Sequence, residues 1–388
     1  MRICVLAADA SNDPEYRSGH LAVLSALSAC NDVHLFSLGD ENDFALDGLP
    51  IAFHSTRPRL SERAALRRDL LVANFSKPSA GTEYERADTH DWPSESVDQI
   101  LHRDTVDAWK GVAPLLAELA PDVVVILDHR DRHVLGALSE LPDVPVVLIP
   151  LVDTIATPDR VQFDELFLRT TSIVAFTEAE RGQIAARTDT PIVVLELPVD
   201  EPLPPAQPTE FASSAHVLVL TDAESDDHLQ RHPFAHLVAL ANPTQRVIVA
   251  SRRAAVFWQN GRRQPQPELA TEDDLFALVA SASVVVDLHP GRLYARRTLH
   301  IQYMGVPTIV PSRSRAREYS EKGNGGLWFC NAGEMLWALD AALDPEIGPA
   351  LGRQGRAYVA AQHGSSERFA ELLALACRPE EGVAAQVS

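Results

Sequence analysis

Eleven arginines and no lysine lie between Arg246 and Arg317, with only five acids among them, although the 388-residue chain carries 54 acids against 34 bases and a formal charge of −20. The arginines fall in groups. Arg252 and Arg253 follow the apolar run Val247-Ile248-Val249-Ala250; Arg292, Arg296 and Arg297 follow Val284-Val285-Val286-Asp287-Leu288; Arg313, Arg315 and Arg317 follow Thr308-Ile309-Val310-Pro311. A guanidinium presents a planar fork of donors that matches two oxygens of a phosphate or carboxylate. If the apolar runs are parallel strands, the loops after them converge in the crevice outside the strands' carboxyl ends. The groups then read as a clamp for an anion. The other reading is a solvated basic surface, or arginines paired with the protein's own acids.

A second polar concentration, Asp128-His129-Arg130-Asp131-Arg132-His133, directly follows the run Val123 to Leu127. A strand-end position suits it to the same crevice. His129 and His133 have the i, i+4 spacing of helical metal ligands, but no Glu follows His129 as in H-E-x-x-H, so no metal is expected. A helix-capping cluster is the other reading. Nearer the N-terminus, Ser18-Gly19 reads as a short loop and His20 as the opening of a helix. There a substrate could approach the backbone, and the helix N-terminus could face an anion. One glycine does not make a dinucleotide fingerprint. Asp153 could meet hydroxyls or cap a helix. No nucleophilic triad with local signatures and no P-loop is found.

The acidic excess argues against nucleic acid or an anionic membrane as the main partner. Cys4, Cys30, Cys330 and Cys377 sit in apolar runs and form no C-x-x-C pair, so the expectation is buried thiols in a cytoplasmic protein rather than zinc or a disulfide framework. The apolar run at the N-terminus is too short for a signal segment, and no window reaches the ~18 apolar residues of a membrane span. It reads as a first strand.

These residues need elements to hold them. Short β-branched runs alternate with amphipathic segments, the pattern of βαβ units. Strands are expected at Ile3 to Ala7, Val33 to Ser37, Ile51 to His54, Val123 to Leu127, Val146 to Ile149, Ile173 to Phe176 and Ile192 to Leu195. The stretch from Lys77 to Glu95 reads as a loop. Five prolines between Pro198 and Pro208 mark a linker. The rhythm then restarts, with strands at Val217 to Leu220, Val247 to Ala250, Val284 to Leu288, Thr308 to Val310 and Leu327 to Phe329. The expected architecture is α/β, with two Rossmann-like doubly wound domains facing across a cleft: residues 1–200, residues 201–365, and a C-terminal helix and tail at 366–388.

One segment goes further. A helix ending Ile301-Gln302-Tyr303-Met304 meets the turn Gly305-Val306-Pro307 and the strand Thr308-Ile309-Val310; Glu318 and the turn Gly323-Asn324-Gly325-Gly326 follow. This order resembles the carboxy-terminal domain of GT-B glycosyltransferases, especially glycosyltransferase family 4, over residues 272 to about 375. Phe176-Thr177-Glu178 and Pro198-Val199-Asp200 are weaker matches in the first half. The resemblance implies transfer of a hexose from a nucleoside-diphosphate sugar to an acceptor, with retention and no metal or other cofactor. It implies that His129 touches acceptor or donor phosphate and that Glu318 accepts a hydrogen bond near the donor. It places Arg292 and His300 where the family has the two carboxylates of its Glu-x7-Glu motif, for donor sugar and ribose. The family's cationic pair after the first strand of this domain is also replaced, by Thr221-Asp222-Ala223-Glu224. The site set is therefore His129 and Arg292 as catalytic residues, with Gly19, His20, Arg252, Arg296, Arg297, His300 and Glu318 binding substrate. A degenerate accessory or scaffold subunit of the same fold is the second reading, and a sugar-nucleotide epimerase a third. Acceptor, sugar, base and any homo-oligomer stay open.

Overall fold

The structure is a computed structural model. It describes residues 1–7, 14–37, 46, 48–56, 97–127, 132–150, 160–199, 216–221, 233–241, 245–250, 255–259, 262–264, 272–288, 293–364, 369 and 373–374. The expected loop at 77–95, the Pro-rich linker, Asp153 and most of the 366–388 tail lie outside these residues.

Strands β1 (Arg2–Ala7), β2 (Asp32–Ser37), β3 (Ile51–Ser55), β4 (Val123–Leu127), β5 (Val146–Ile149), β6 (Ser172–Ala175) and β7 (Ile192–Val194) form one parallel sheet in the order β3-β2-β1-β4-β5-β6-β7. The crossovers contain helices α1 (Pro14–Ser28), α2 (Val97–Leu119), α3 (Arg160–Arg169) and α4 (Glu178–Ala185), and a 3-10 turn at Arg132–Leu138. The strand order reverses between β1 and β4, the switch point where such sheets open a crevice. Full burial of β1, β4 and β5 beyond the exposed Arg2 matches their unbroken apolar runs.

The second sheet has the order β11-β10-β9-β8-β12-β13-β14, from β8 (His216–Leu220), β9 (Val247–Ala250), β10 (Ala255–Gln259), β11 (Arg262–Gln264), β12 (Ala282–Asp287), β13 (Thr308–Pro311) and β14 (Gly326–Phe329). Its helices are α5 (Pro233–Ala241), α6 (Glu272–Ser281), α7 (Leu293–Tyr303), α8 (Ala316–Gly323), α9 (Ala332–Leu343) and α10 (Ile347–Gln362). Every strand of the sequence reading is present. The antiparallel additions β10 and β11 were not expected. Asn260-Gly261 between them is a two-residue hairpin signal in the sequence.

Two corrections bear on the site. Helix α1 begins at Pro14, so Gly19 and His20 lie in its second turn rather than in a loop and at a helix start. Proline at the first helical position has its φ already set and loses no intrahelical bond there. Helix α8 was also missed, because its sequence Ala-Arg-Glu-Tyr-Ser-Glu-Lys-Gly is largely polar. It is held by tertiary contacts, with Ala316, Tyr319 and Ser320 buried.

The largest core cluster joins both sheets. Ile3, Val5, Val23, Val125 and Phe176 pack in one continuous group with Leu299, Val310, Ala316, Tyr319, Val359, Phe369 and Leu373. Helix α10 reaches it by close backbone approach. A Cβ on Gly325 would collide with the Cα of Gly355, and one on Gly352 with the carbonyl of Gly305. Of the first three cysteines, all expected to be buried, only Cys4 is; Cys30 and Cys330 are exposed.

Candidate functional site

Strand β12 delivers Asp287 to the carboxyl edge of the second sheet, beside Leu220 at the end of β8. Asp287 is 1% exposed. Its Oδ1 accepts from Arg297 Nη2 at 3.2 Å and its Oδ2 from Thr298 Oγ1 at 3.1 Å. Helix α7 is thus tied back to the strand it follows. Arg297, itself 8% exposed, has its charge answered by a carboxylate of the same domain. In the sequence Asp287 stands only as part of a strand's end, and its pairing with Arg297 carries no motif.

Helix α7 also packs against α1 across the two sheets, so the elements bearing Arg297 and His20 meet. His20 is buried at 1% exposure. His300 lies in the last turn of α7 with its ring 5.8 Å from that of Phe276 in α6. Gly19 lies in α1 and Arg296 in α7. Arg292, Arg252 and His129 fall outside the described residues; in sequence they follow the strands that end at Asp287, Ala250 and Leu127.

The third arginine group departs from the clamp expectation. Arg315 Nη1 lies 2.8 Å from Glu180 Oε1, with side chains 10% and 3% exposed, and Arg315 Nη2 reaches Gln183. Arg317 pairs with Glu321 at 2.8 Å and sits 4.1 Å over the ring of Trp328. These two arginines answer acids and an aromatic face of the protein itself. Only Arg313 of the group is exposed.

Glu318 also differs from expectation. Its Oε1 accepts from Glu178 N at 2.9 Å and its Oε2 from Ala179 N at 3.3 Å, capping α4 of the other domain. Two N–H groups at a helix start have no intrahelical partner, and a carboxylate suits the positive end of the helix. Lys322 completes the group 2.8 Å from Glu318. Burial works against the Lys322 charge, but the bond to Glu318 and the carboxylates of Glu318, Glu196 and Glu178 outweigh it and raise its pKa.

The same end of α4 is organised from within. Thr177 is its N-cap, accepting from Glu180 N at 3.1 Å, while Glu180 Oε2 accepts from Phe176 N at 2.7 Å. Tyr319 OH donates to Phe176 O at 3.0 Å. Burial pushes the Tyr319 hydroxyl well above its ordinary pKa, with Glu180, Glu196 and Glu318 adding to the shift. This seam between the domains contains Glu180, Tyr319 and His363, none of which the sequence reading assigned a role.

Among the described residues, no group of three His, Cys, Asp or Glu side chains is arranged to hold a metal ion, and no helix is long and apolar enough to cross a membrane.

By sequence the chain matches no protein-family profile and no curated protein. Its fold does match solved structures. A glycosyltransferase from Rickettsia africae superposes with a TM-score of 0.63 at 10% identity, over 97% of this chain and 98% of that one. A lipopolysaccharide outer core galactosyltransferase in its apo form gives 0.57 at 13%, over 98% and 100%. Anabaena HepE in complex with UDP gives 0.55 at 11%, over 99% and 100%. Two parallel sheets with flanking helices, matched along nearly their whole length to these enzymes, establish that the chain has the GT-B fold.

Proposed function

We propose that the chain is a glycosyltransferase that moves a hexose from a nucleoside diphosphate to an acceptor. The observation that carries this reading is the start of α7: a helix N-terminus following the carboxyl end of β12, in a chain segment holding Arg292, Arg296 and Arg297, in a fold that matches glycosyltransferases end to end. A departing diphosphate gains negative charge as its bond to the sugar breaks. Helix N–H groups and guanidinium at that place would stabilise it.

In this reading Arg292 and Arg296 meet the diphosphate, with Arg252, two residues beyond the end of β9 in sequence. Arg297, anchored by Asp287, fixes the helix they open. His300 serves the ribose, as one hydrogen-bonding group in place of a carboxylate. Gly19, His20 and His129 belong to the acceptor side. Glu318 serves the domain seam. With retention, the new bond from acceptor oxygen to the anomeric carbon forms on the face the diphosphate leaves, and the acceptor's proton passes to the departing phosphate oxygen. No metal is needed for that step, and the reading takes the protein to work in the cytoplasm.

Incubation with a panel of nucleoside-diphosphate sugars, alone and with candidate acceptors, followed by proton NMR of the anomeric signal, tests it. Release of nucleoside diphosphate with the donor's anomeric configuration kept in the product is expected. An inverted product overturns retention. Binding of donors with no cleavage across donors and acceptors favours an accessory subunit.

A further inference from the structure

His363 closes α10 at the point where the chain of the second domain meets the exit from the first. Its carbonyl accepts from Val199 N at 3.0 Å. Its ring Nδ1 lies 2.9 Å from Leu197 O. A carbonyl oxygen only accepts, so Nδ1 carries the proton of that bond. Nε2 is then the one ring position whose protonation can vary.

That nitrogen lies 3.4 Å from Glu196 Oε2, with the His363 side chain 0% exposed and Glu196 25% exposed. A neutral ring would turn the Nε2 lone pair toward a carboxylate in a place water does not reach. A proton on Nε2 replaces that repulsion with an ion pair. Two aromatic rings stand steeply inclined to the imidazole, Tyr319 of α8 at 5.4 Å and 88° and Tyr358 of α10 at 5.3 Å and 65°. Burial alone would oppose the charge.

Most of the other acids of the seam are answered by groups of their own, and Lys322, which lies in the field of Glu196, is the cation that opposes a second charge there. From α4, Glu180 is answered by Arg315 of the second domain; from α8, Glu318 is answered by Lys322 and by the two amides of α4 that include that of Glu178. Glu178 itself pairs with Arg181. Glu196 is the carboxylate that faces His363.

We infer that docking of the two domains is coupled to binding of one proton, held at neutral pH as a His363 imidazolium against Glu196. The inference does not depend on the sugar-transfer reading, since it concerns the seam and not the cleft. The sign follows from linkage. A histidine whose pKa is raised in the docked state lends stability in full below its ordinary value of about 6.5 and loses it as pH rises through the docked value. The domains are therefore clasped more firmly in mild acid than in mild alkali.

The test is an NMR titration of the full chain carrying 15N-labelled histidine. The His363 signal is identified by its loss in His363→Asn, whose side-chain amide can still donate to Leu197 O. If that variant does not fold, the signal is identified as the one whose midpoint moves in Glu196→Gln. The expected result is a His363 ring protonated on both nitrogens at pH 7.5, with its midpoint lowered by at least one pH unit in Glu196→Gln. The wild-type melting temperature should also fall more steeply between pH 6.5 and 8.5 than that of Glu196→Gln. A His363 midpoint at or below 6.5, or no histidine midpoint that responds to Glu196→Gln, would overturn the inference. Equal melting slopes in the two proteins would overturn the coupling to docking.

Discussion

The Glu318 carboxylate lies 2.9 Å from the amide of Glu178, across 140 residues of sequence and from one domain to the other. With the second bond to Ala179 N it completes the start of α4 from outside. Truncating such a cap costs about 1 kcal/mol, up to about 2. Glu318→Ala should lower stability in urea by that amount and leave the affinity for a nucleoside diphosphate unchanged. A tenfold loss of affinity with stability intact would return Glu318 to the donor site.

The Arg315–Glu180 pair is nearly excluded from water, and removing one member of such a pair leaves an uncompensated charge at a cost of about 3–5 kcal/mol. Arg315→Ala should therefore destabilise strongly. Adding Glu180→Gln, which keeps an acceptor for Phe176 N, should recover a large part. A cost below about 1 kcal/mol, as for an exposed pair, would show that the seam is open in solution.

Two glycines separate backbone packing from helix propensity. Gly325→Ala drives a methyl into the Gly355 backbone and should cost about 1–3 kcal/mol or more. Gly182→Ala, in α4 with nothing within 4 Å of the added carbon, should stabilise by up to about 1 kcal/mol. Thermal melts of the two variants check both signs. A tolerated Gly325→Ala would contradict the close approach of α10.

His54 Nε2 lies 3.1 Å from His34 Nδ1, and its ring stacks on Phe36. Burial, and then the charge on His34, lower the pKa of His54. The folded chain then binds fewer protons here than the unfolded chain, so stability rises with pH through this window. The contribution is complete above about 6.5 and lost as pH falls below it. His54→Phe, which keeps a ring on Phe36, should flatten the fall in stability between pH 7 and 5. An unchanged slope would remove His54 as its source. The effect has the opposite sign to that at His363.

How much of this was legible depends on distance along the chain. Runs such as Val123 to Leu127 and Val284 to Val286 are buried on both faces, so strand and sheet type were written in unbroken apolar stretches. Helix α8 was not, because its stability lies in contacts of Tyr319 with a carbonyl 143 residues away. The strands that precede the arginine groups were read correctly. The arginines' partners were not readable: Arg315 meets Glu180, far along the chain, only once the domains pack, and Arg297 meets Asp287 only once α7 folds back on β12. The sequence-derived clamp thus narrows, with Arg315 and Arg317 answered inside the protein and Arg297 an anchored support. Arg252, Arg292 and Arg296 are left as the groups proposed to meet a ligand.

A nucleoside diphosphate is the ligand proposed for the carboxyl end of the second sheet. Isothermal titration of the purified chain with a panel of nucleoside diphosphates tests it most directly. One-to-one binding by at least one member is expected, weakened by about 1.5–3 kcal/mol in Arg292→Ala, as loss of a charge-assisted hydrogen bond requires, with the melting temperature unchanged. Absence of binding by every member, in a protein shown to be folded, would contradict it.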